Sequence, residues 1–228
     1  METKIYPSIA TTRGANWRQR IKEAKELKIT EVCAFPTCLD AEQRKKFHQL
    51  LEDAGIKSIP LYHLRSDSEV WELEYLEKNF QIGVYNTHNS ERFPITIDYG
   101  DYRKKIYIEN SSALLDNGKI TGFAGICIDY SHLENDRFLY KDRYEHNIKI
   151  IDDHQCGCGH LSAIREKPFY APDLKEMCYD AHSFKDLSEF DFLKRYLPKY
   201  HPPILALELE NTLTEQLKAR EYILKMIE

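Results

Sequence analysis

Ile126-Cys127-Ile128-Asp129-Tyr130-Ser131-His132 is the stretch on which the fold of this chain turns. Side chains alternate across a strand with a period of two. Ile126 and Ile128 therefore share one face, and Cys127 and Asp129 share the other. A parallel strand buried on both faces is ordinarily apolar throughout, so a carboxylate closing one face marks a place where charge has a use. The pattern repeats along the chain. In Ile106-Tyr107-Ile108-Glu109 the isoleucines oppose Glu109, and in Leu205-Ala206-Leu207-Glu208-Leu209-Glu210 three leucines oppose Ala206 and two carboxylates. Large aliphatics would face covering helices, and small or acidic residues would face a common axis.

Working outward, eight strand candidates can be read: residues 4–9, 31–35, 58–63, 83–88, 105–109, 125–129, 157–162 and 204–210. Helical stretches fill most gaps. One, preceded by Asn16 or Gly14, carries Ile21, Ala24 and Leu27. The next starts at the capping pair Asp40 and Gln43 and stops at Gly55. A third carries Val70, Leu73 and Leu76. One helix is expected across 133–151 and another across 187–197, and Thr212 with Glu215 caps the last. Strands alternating with helices imply parallel strands. The expected fold is an α/β (β/α)8 TIM barrel forming one domain over 1–228, with short or missing helices after strands 4 and 5, where 89–104 and 111–121 carry little helical pattern.

Composition narrows the function classes. The chain has 228 residues, 42% hydrophobic and 30% charged, with a formal net charge of −5. That balance disfavours a polyanion-coating protein, whose affinity rests on Lys and Arg contacts to phosphates. No run of eighteen apolar residues is present, so no membrane partner is expected. The N-terminal residues lack a basic start followed by an apolar stretch, so a cytoplasmic protein is expected. The six cysteines fall largely inside strands, in keeping with reduced thiols. Cys158 is expected to face the barrel, and Cys156-x-Cys158-x-His160 lacks the second half of a zinc knuckle.

Six strands end, on a single parity, in a residue able to bind metal: His63, His88, Glu109, Asp129, His160 and Glu208. His132 and the pair Asp180 and His182 join them from following loops. All would meet at the C-terminal mouth, where barrel active sites lie. Carboxylates crowded there repel one another and lose hydration, and divalent cations remove both costs. The mixture of nitrogen and oxygen donors suits zinc, with manganese the other candidate. Glu210 shares parity with Glu208, so either could be the ligand. His48 and His201 read as surface residues. Arg65, Lys104, Arg137, Lys141, Arg143 and Arg165 lie near the expected mouth, either as a solvated rim or as phosphate ligands; Arg65 and Arg165 are the substrate-binding candidates.

These motifs resemble the xylose-isomerase-like barrel superfamily, which holds sugar isomerases, epimerases and the AP endonuclease IV family. Leu61-Tyr62-His63 and Asn86-Thr87-His88 resemble the two histidine-ended strands of endonuclease IV. Ile108-Glu109-Asn110 resembles its metal-bridging glutamate strand, Asp129-x-x-His132 its Asp-x-x-His motif, and Gly159-His160-Leu161-Ser162 its next histidine strand. Asp180-Ala181-His182 and Leu207-Glu208 resemble its last three ligands. The resemblance implies nine ligands for up to three zinc ions and a metal-dependent phosphoester hydrolase acting on DNA, such as abasic sites, or on a small molecule. The loops after His63, Glu109 and His182 lack that family's glycine- and serine-rich DNA contacts. The alternative is a divalent-metal sugar or sugar-phosphate isomerase or epimerase, with Glu109 and Glu208 moving the proton. A barrel that binds without turnover is the third reading. Oligomeric state is not legible.

Overall fold

A computed structural model describes residues 2–172 and 175–227. β1 (Lys4–Tyr6) and β2 (Ser8–Ala10) form one extended run broken at Pro7. They are followed by α1 (Trp17–Glu26), β3 (Cys33–Phe35), α2 (Ala41–Asp53), β4 (Ser58–His63), α3 (Val70–Asn79) and β5 (Gln81–Thr87). A 3-10 helix (Gly100–Lys105) leads into β6 (Ile106–Glu109), the four-residue α4 (Asn117–Ile120), β7 (Gly125–Asp129), α5 (Tyr130–Leu139), α6 (Lys141–Asp152) and β8 (Cys156–Leu161). Then come β9 (Ala163–Ala171), β10 (Glu176–Ala181), a second 3-10 helix (Leu187–Arg195), β11 (Ile204–Leu207) and α7 (Leu213–Ile227).

The main sheet runs β1-β11-β8-β7-β6-β5-β4-β3-β2, and every pairing in it is parallel. β1 pairs with β11 while β2 pairs with β3. Because β1 and β2 are halves of a single stave, the ring closes on itself as an eight-stave α/β barrel. Pro7 sits at the handover. It has no N–H to give a ladder, but its carbonyl accepts from Cys33 N at 2.9 Å. A hydroxyl helps bind the seam: Ser8 Oγ donates to the Leu207 carbonyl.

Alternation divides the strands as their sequences require. Ala10, Cys33, Phe35, Leu61, Cys127, Cys158 and Ala206 pack inside the barrel. Ile106 packs outward against one set of covering elements, and Ile108, Ile126, Ile128, Leu205 and Leu207 pack against another. Cys33 and Cys127 thus join Cys158 in the lumen, and all six thiols are free. Tyr107 fills the lumen so closely to β8 that a Cβ on Gly157 would come within 2.2 Å of its ring. Any larger residue there would force the Tyr107 ring to move.

The helix signals hold at the caps. Asp40 and Gln43 form a reciprocal capping box, Gly55 has φ +88°, and the Thr212 hydroxyl donates to Glu215 at 2.7 Å. The gaps after β5 and β6 contain only the 3-10 helix and α4, as expected for a trimmed barrel. Four expectations are corrected. The stretch 133–151 is two helices, α5 and α6, meeting at Tyr140, which caps both. The stretch 187–197 is a 3-10 helix rather than an α-helix. Leu27 lies outside α1 and is exposed. β8 is followed by an antiparallel hairpin, β9 and β10, that carried no strand signal. Among the described residues no helix is long and apolar enough to cross a membrane.

Candidate metal centre

The inward parity that places Cys127 and Cys158 in the lumen places Asp129 and His160 one step above them, at the mouth. The same step leads from Leu61 to His63, from Tyr107 to Glu109 and from Ala206 to Glu208. All five are buried. His88 lies just past β5, while His132 comes from the first turn of α5 and Asp180 and His182 from the end of the hairpin.

Glu109 is the hub. Its Oε2 lies 3.1 Å from His63 Nε2 and 2.9 Å from His160 Nε2, and its Oε1 lies 2.9 Å from His88 Nε2. Asp129 is held as the N-cap of α5: its Oδ1 accepts from Ser131 N at 2.8 Å and His132 N at 3.0 Å. That leaves Oδ2 facing His132 Nδ1 at 3.1 Å and His160 Nδ1 at 3.6 Å. Glu208 Oε2 is 3.2 Å from His160 Nδ1, and its Oε1 is 4.0 Å from His182 Nδ1. Asp180 Oδ2 reaches His132 Nε2 at 3.4 Å. All nine sequence-derived candidates are brought together. Glu210 is not among them; its carboxylate accepts from the Thr12 hydroxyl.

Two asparagines that sequence reasoning missed position these ligands. Asn86 donates its amide to Glu109 Oε2 at 2.6 Å. Asn110 brackets the Asp129 backbone, donating to its carbonyl at 2.8 Å and accepting from its N–H at 2.9 Å. Asn86 shares the parity of His88, two residues on, whereas Asn110 has the opposite parity to Glu109 and carried no signal but adjacency.

The donor set fits divalent cations. Three triplets each place one donor atom per residue within 4.8 Å of the others: His63, His88 and Glu109; Glu109, Asp129 and His132; Asp129, His160 and Glu208. Glu109 and Asp129 each belong to two triplets. Donors sharing a cation at bonds of about 2.0–2.1 Å stand about 3.0–3.4 Å apart, and the nitrogen–oxygen separations in the cluster, 2.9–4.0 Å, bracket that spacing. Both ring nitrogens of His160 are buried without a directed hydrogen bond, although carboxylate oxygens lie close to each. Without a cation those carboxylates are the ring's close charged partners, and a cation would take a ring nitrogen and a carboxylate oxygen together.

Charges in the cluster lean on one another. Burial pushes the Glu109 carboxyl up, but His88, His160 and His63 outweigh it and hold it well below the ordinary range. Burial likewise raises Glu208, and His182 and His160 reverse that, bringing it to about 2. For Asp129 burial wins, and its carboxyl is raised despite His132 and His160. Burial lowers His132, but Asp129 and Asp180 overcome it and lift the ring to about 9. His160 and His182 are raised by neighbouring carboxylates in the same way.

Other candidates lie elsewhere. Arg165, on β9, is tied to Glu189 Oε2 at 2.5 Å and Ser183 Oγ at 3.2 Å. Lys104 precedes β6, at the barrel end opposite the mouth, and pairs with Asp101. Arg137, Lys141 and Arg143 pair with Glu134, Glu145 and Asp136. His48 is buried rather than superficial, its Nε2 2.7 Å from the Tyr62 hydroxyl. His201 is exposed as expected.

No family model matches the sequence, and no curated protein matches it. Solved structures do. A probable 3-DHS dehydratase, AsbF, from Bacillus anthracis is 10% identical over 98% of both chains, with a TM-score of 0.47. A xylose isomerase-like TIM barrel protein from Mycobacterium smegmatis in complex with magnesium is 13% identical over 97% of this chain and 96% of that one, with a TM-score of 0.43. The 3-keto-D-glucoside 4-epimerase YcjR from E. coli, in its apo form, is 11% identical over 98% of this chain and 99% of that one, with a TM-score of 0.41. The likeness is one of fold.

Proposed function

We propose that this barrel is a divalent-metal enzyme and that its mouth hydrolyses a phosphoester. The observation that carries this reading is the sharing of Glu109 and Asp129 between adjacent donor triplets, an arrangement suited to ions side by side. His63, His88 and Glu109 would hold one ion. Asp129, His160 and Glu208 would help hold a second, Glu109 and Asp129 with His132 would lie between them, and Asp180 and His182 would complete the cluster. Ions bound here supply Lewis acidity toward a phosphoryl oxygen and acidify water near neutral pH. The protein's own part is to fix the donors: Asn86 fixes Glu109, and Asn110 with the α5 N-terminus fixes Asp129. Zinc suits the donors, and manganese is the other candidate.

A second reading is a sugar or sugar-phosphate isomerase or epimerase. It is favoured by the placement of Glu109 and Glu208 at opposite nitrogens of His160, where two carboxylates could flank a substrate carbon and move a proton.

Elemental analysis of the purified chain, followed by assay on a simple phosphodiester, abasic-site DNA and aldose–ketose pairs, separates the two. Two or three ions per chain with phosphoester cleavage is the expected result. One ion per chain with sugar isomerisation and no cleavage would replace the first reading by the second.

A further inference from the structure

Beside the metal candidates lies a cleft of about 510 Å³, walled by the loops after β2, β3, β4 and β5. That volume is in the range that holds a small organic ligand. The cleft shares a wall with the cluster: Phe93 lines it, and the Phe93 ring packs on His88 with centroids 5.5 Å apart. Its chemistry is the reverse of the mouth's. Among the described residues no Asp or Glu lines it, whereas Arg13, Arg65, Thr11 and Thr12 do.

Arg65 is held in place rather than left loose. Its Nε donates to Asp67 Oδ1 at 2.9 Å, and its Nη1 donates to the Thr37 carbonyl. The same Asp67 oxygen accepts from Arg44 Nη1 at 3.1 Å. Arg44 is wholly buried and locked to Glu72 by two bonds of 2.7 Å. The Arg65 side chain keeps a third of its surface exposed. A guanidinium fixed on two sides and open on another is prepared for an incoming anion.

We propose that this cleft takes the non-reacting part of a small substrate and that Arg65 receives an anionic group, a phosphate monoester, carried on that part. This deepens the metal-enzyme reading and rests on it for the word substrate. The cleft is open to solvent, and its volume of about 510 Å³ matches a molecule of sugar-phosphate size.

Trp17 also lines the cleft and serves as its reporter. The chain's other tryptophan, Trp71, lies outside it on α3, so a Trp71→Phe background isolates the signal. The protein as purified, with whatever metal it carries, is titrated with ribose 5-phosphate and with ribose. Saturable change in Trp17 fluorescence is expected, with ribose at least tenfold weaker. Arg65→Gln should weaken ribose 5-phosphate at least tenfold, as loss of a hydrogen bond to a charged group does, and Arg65→Lys should recover part of it. Metal content of each variant is measured alongside and should not change. Equal binding of ribose and ribose 5-phosphate, an unaffected Arg65→Gln, or no signal at millimolar ligand would each overturn the proposal. So would Arg65-dependent binding of abasic-site duplex by a protein that ignores ribose 5-phosphate. A chain that carries no metal would end the metal-enzyme reading while leaving the titration to decide the cleft.

Discussion

Glu109 faces three imidazoles at once, and the consequence of losing its charge follows from that. Glu109→Gln keeps the shape but removes the anion shared by two donor triplets, so it should lower metal content by at least one ion per chain, read by elemental analysis. Glu208→Gln should also lose metal, whereas Glu210→Gln should not, because Glu210 is engaged with Thr12. Equal retention in all three variants would show that the carboxylates are not ligands. The nine candidate ligands were legible because a two-residue period converts sequence position into side of the strand. Parity left Glu208 and Glu210 equivalent; the end of β11 at Leu207 and the bond to Thr12 separate them. It gave no sign that His48 is buried, since a lone histidine on a charged helix looks the same whether its partner is water or the Tyr62 hydroxyl.

Between elements, the buried Arg44–Glu72 pair joins α2 to α3. Neither side chain has appreciable exposure. Removing one partner of such a pair strands a buried charge at a cost of about 3–5 kcal/mol, while replacing both by apolar residues is often neutral. Glu72→Leu should therefore destabilise by about that amount in urea unfolding, and Arg44→Met with Glu72→Leu should recover most of it. A double variant no better than the single would mean that the pair's hydrogen bonds, not the stranded charge, set the cost. Helices such as α2 were legible because a capping box, an apolar stripe and a terminal glycine agree. The β9–β10 hairpin was not. Arg165, Glu166, Lys167 and Pro168 show no apolar alternation, since β9 is exposed from 166 to 170 and only its first residues are buried. The hairpin matters nonetheless, because its second strand delivers Asp180 to His132.

The barrel as a whole was readable from the recurrence of short strands and helices, but its closure was not. The first strand's division at Pro7 between two neighbours is a property of the ring, and nothing local in 4–10 announces it. Whole-molecule stability carries two signatures. Burial and the charge of Arg44 hold the His48 ring down to about 4; Tyr62 and Tyr75 also face it. The unfolded chain then takes up the proton first as pH falls. The His48 contribution is fully present above the unfolded value of about 6.5 and is lost between there and about 4, on the order of 3 kcal/mol. His48→Gln should flatten that part of the pH–stability curve, measured as the urea midpoint at about pH 7 and about pH 5; an unchanged slope would mean that the ring is not held neutral. The second signature concerns the ions. Glu109, Asp129, Asp180 and Glu208 share one mouth, and the charges described between them are imidazoles. An ion that binds the folded chain alone stabilises it by about 2.7 kcal/mol at a hundredfold excess over its Kd. For a chain of this size that corresponds to about 5–10 °C in Tm. Chelation should lower Tm by at least that much, zinc should restore it, and the Glu109→Gln variant should respond less than the wild type to both. A wild-type melting curve indifferent to both chelator and zinc would mean that the imidazoles alone hold the carboxylates together.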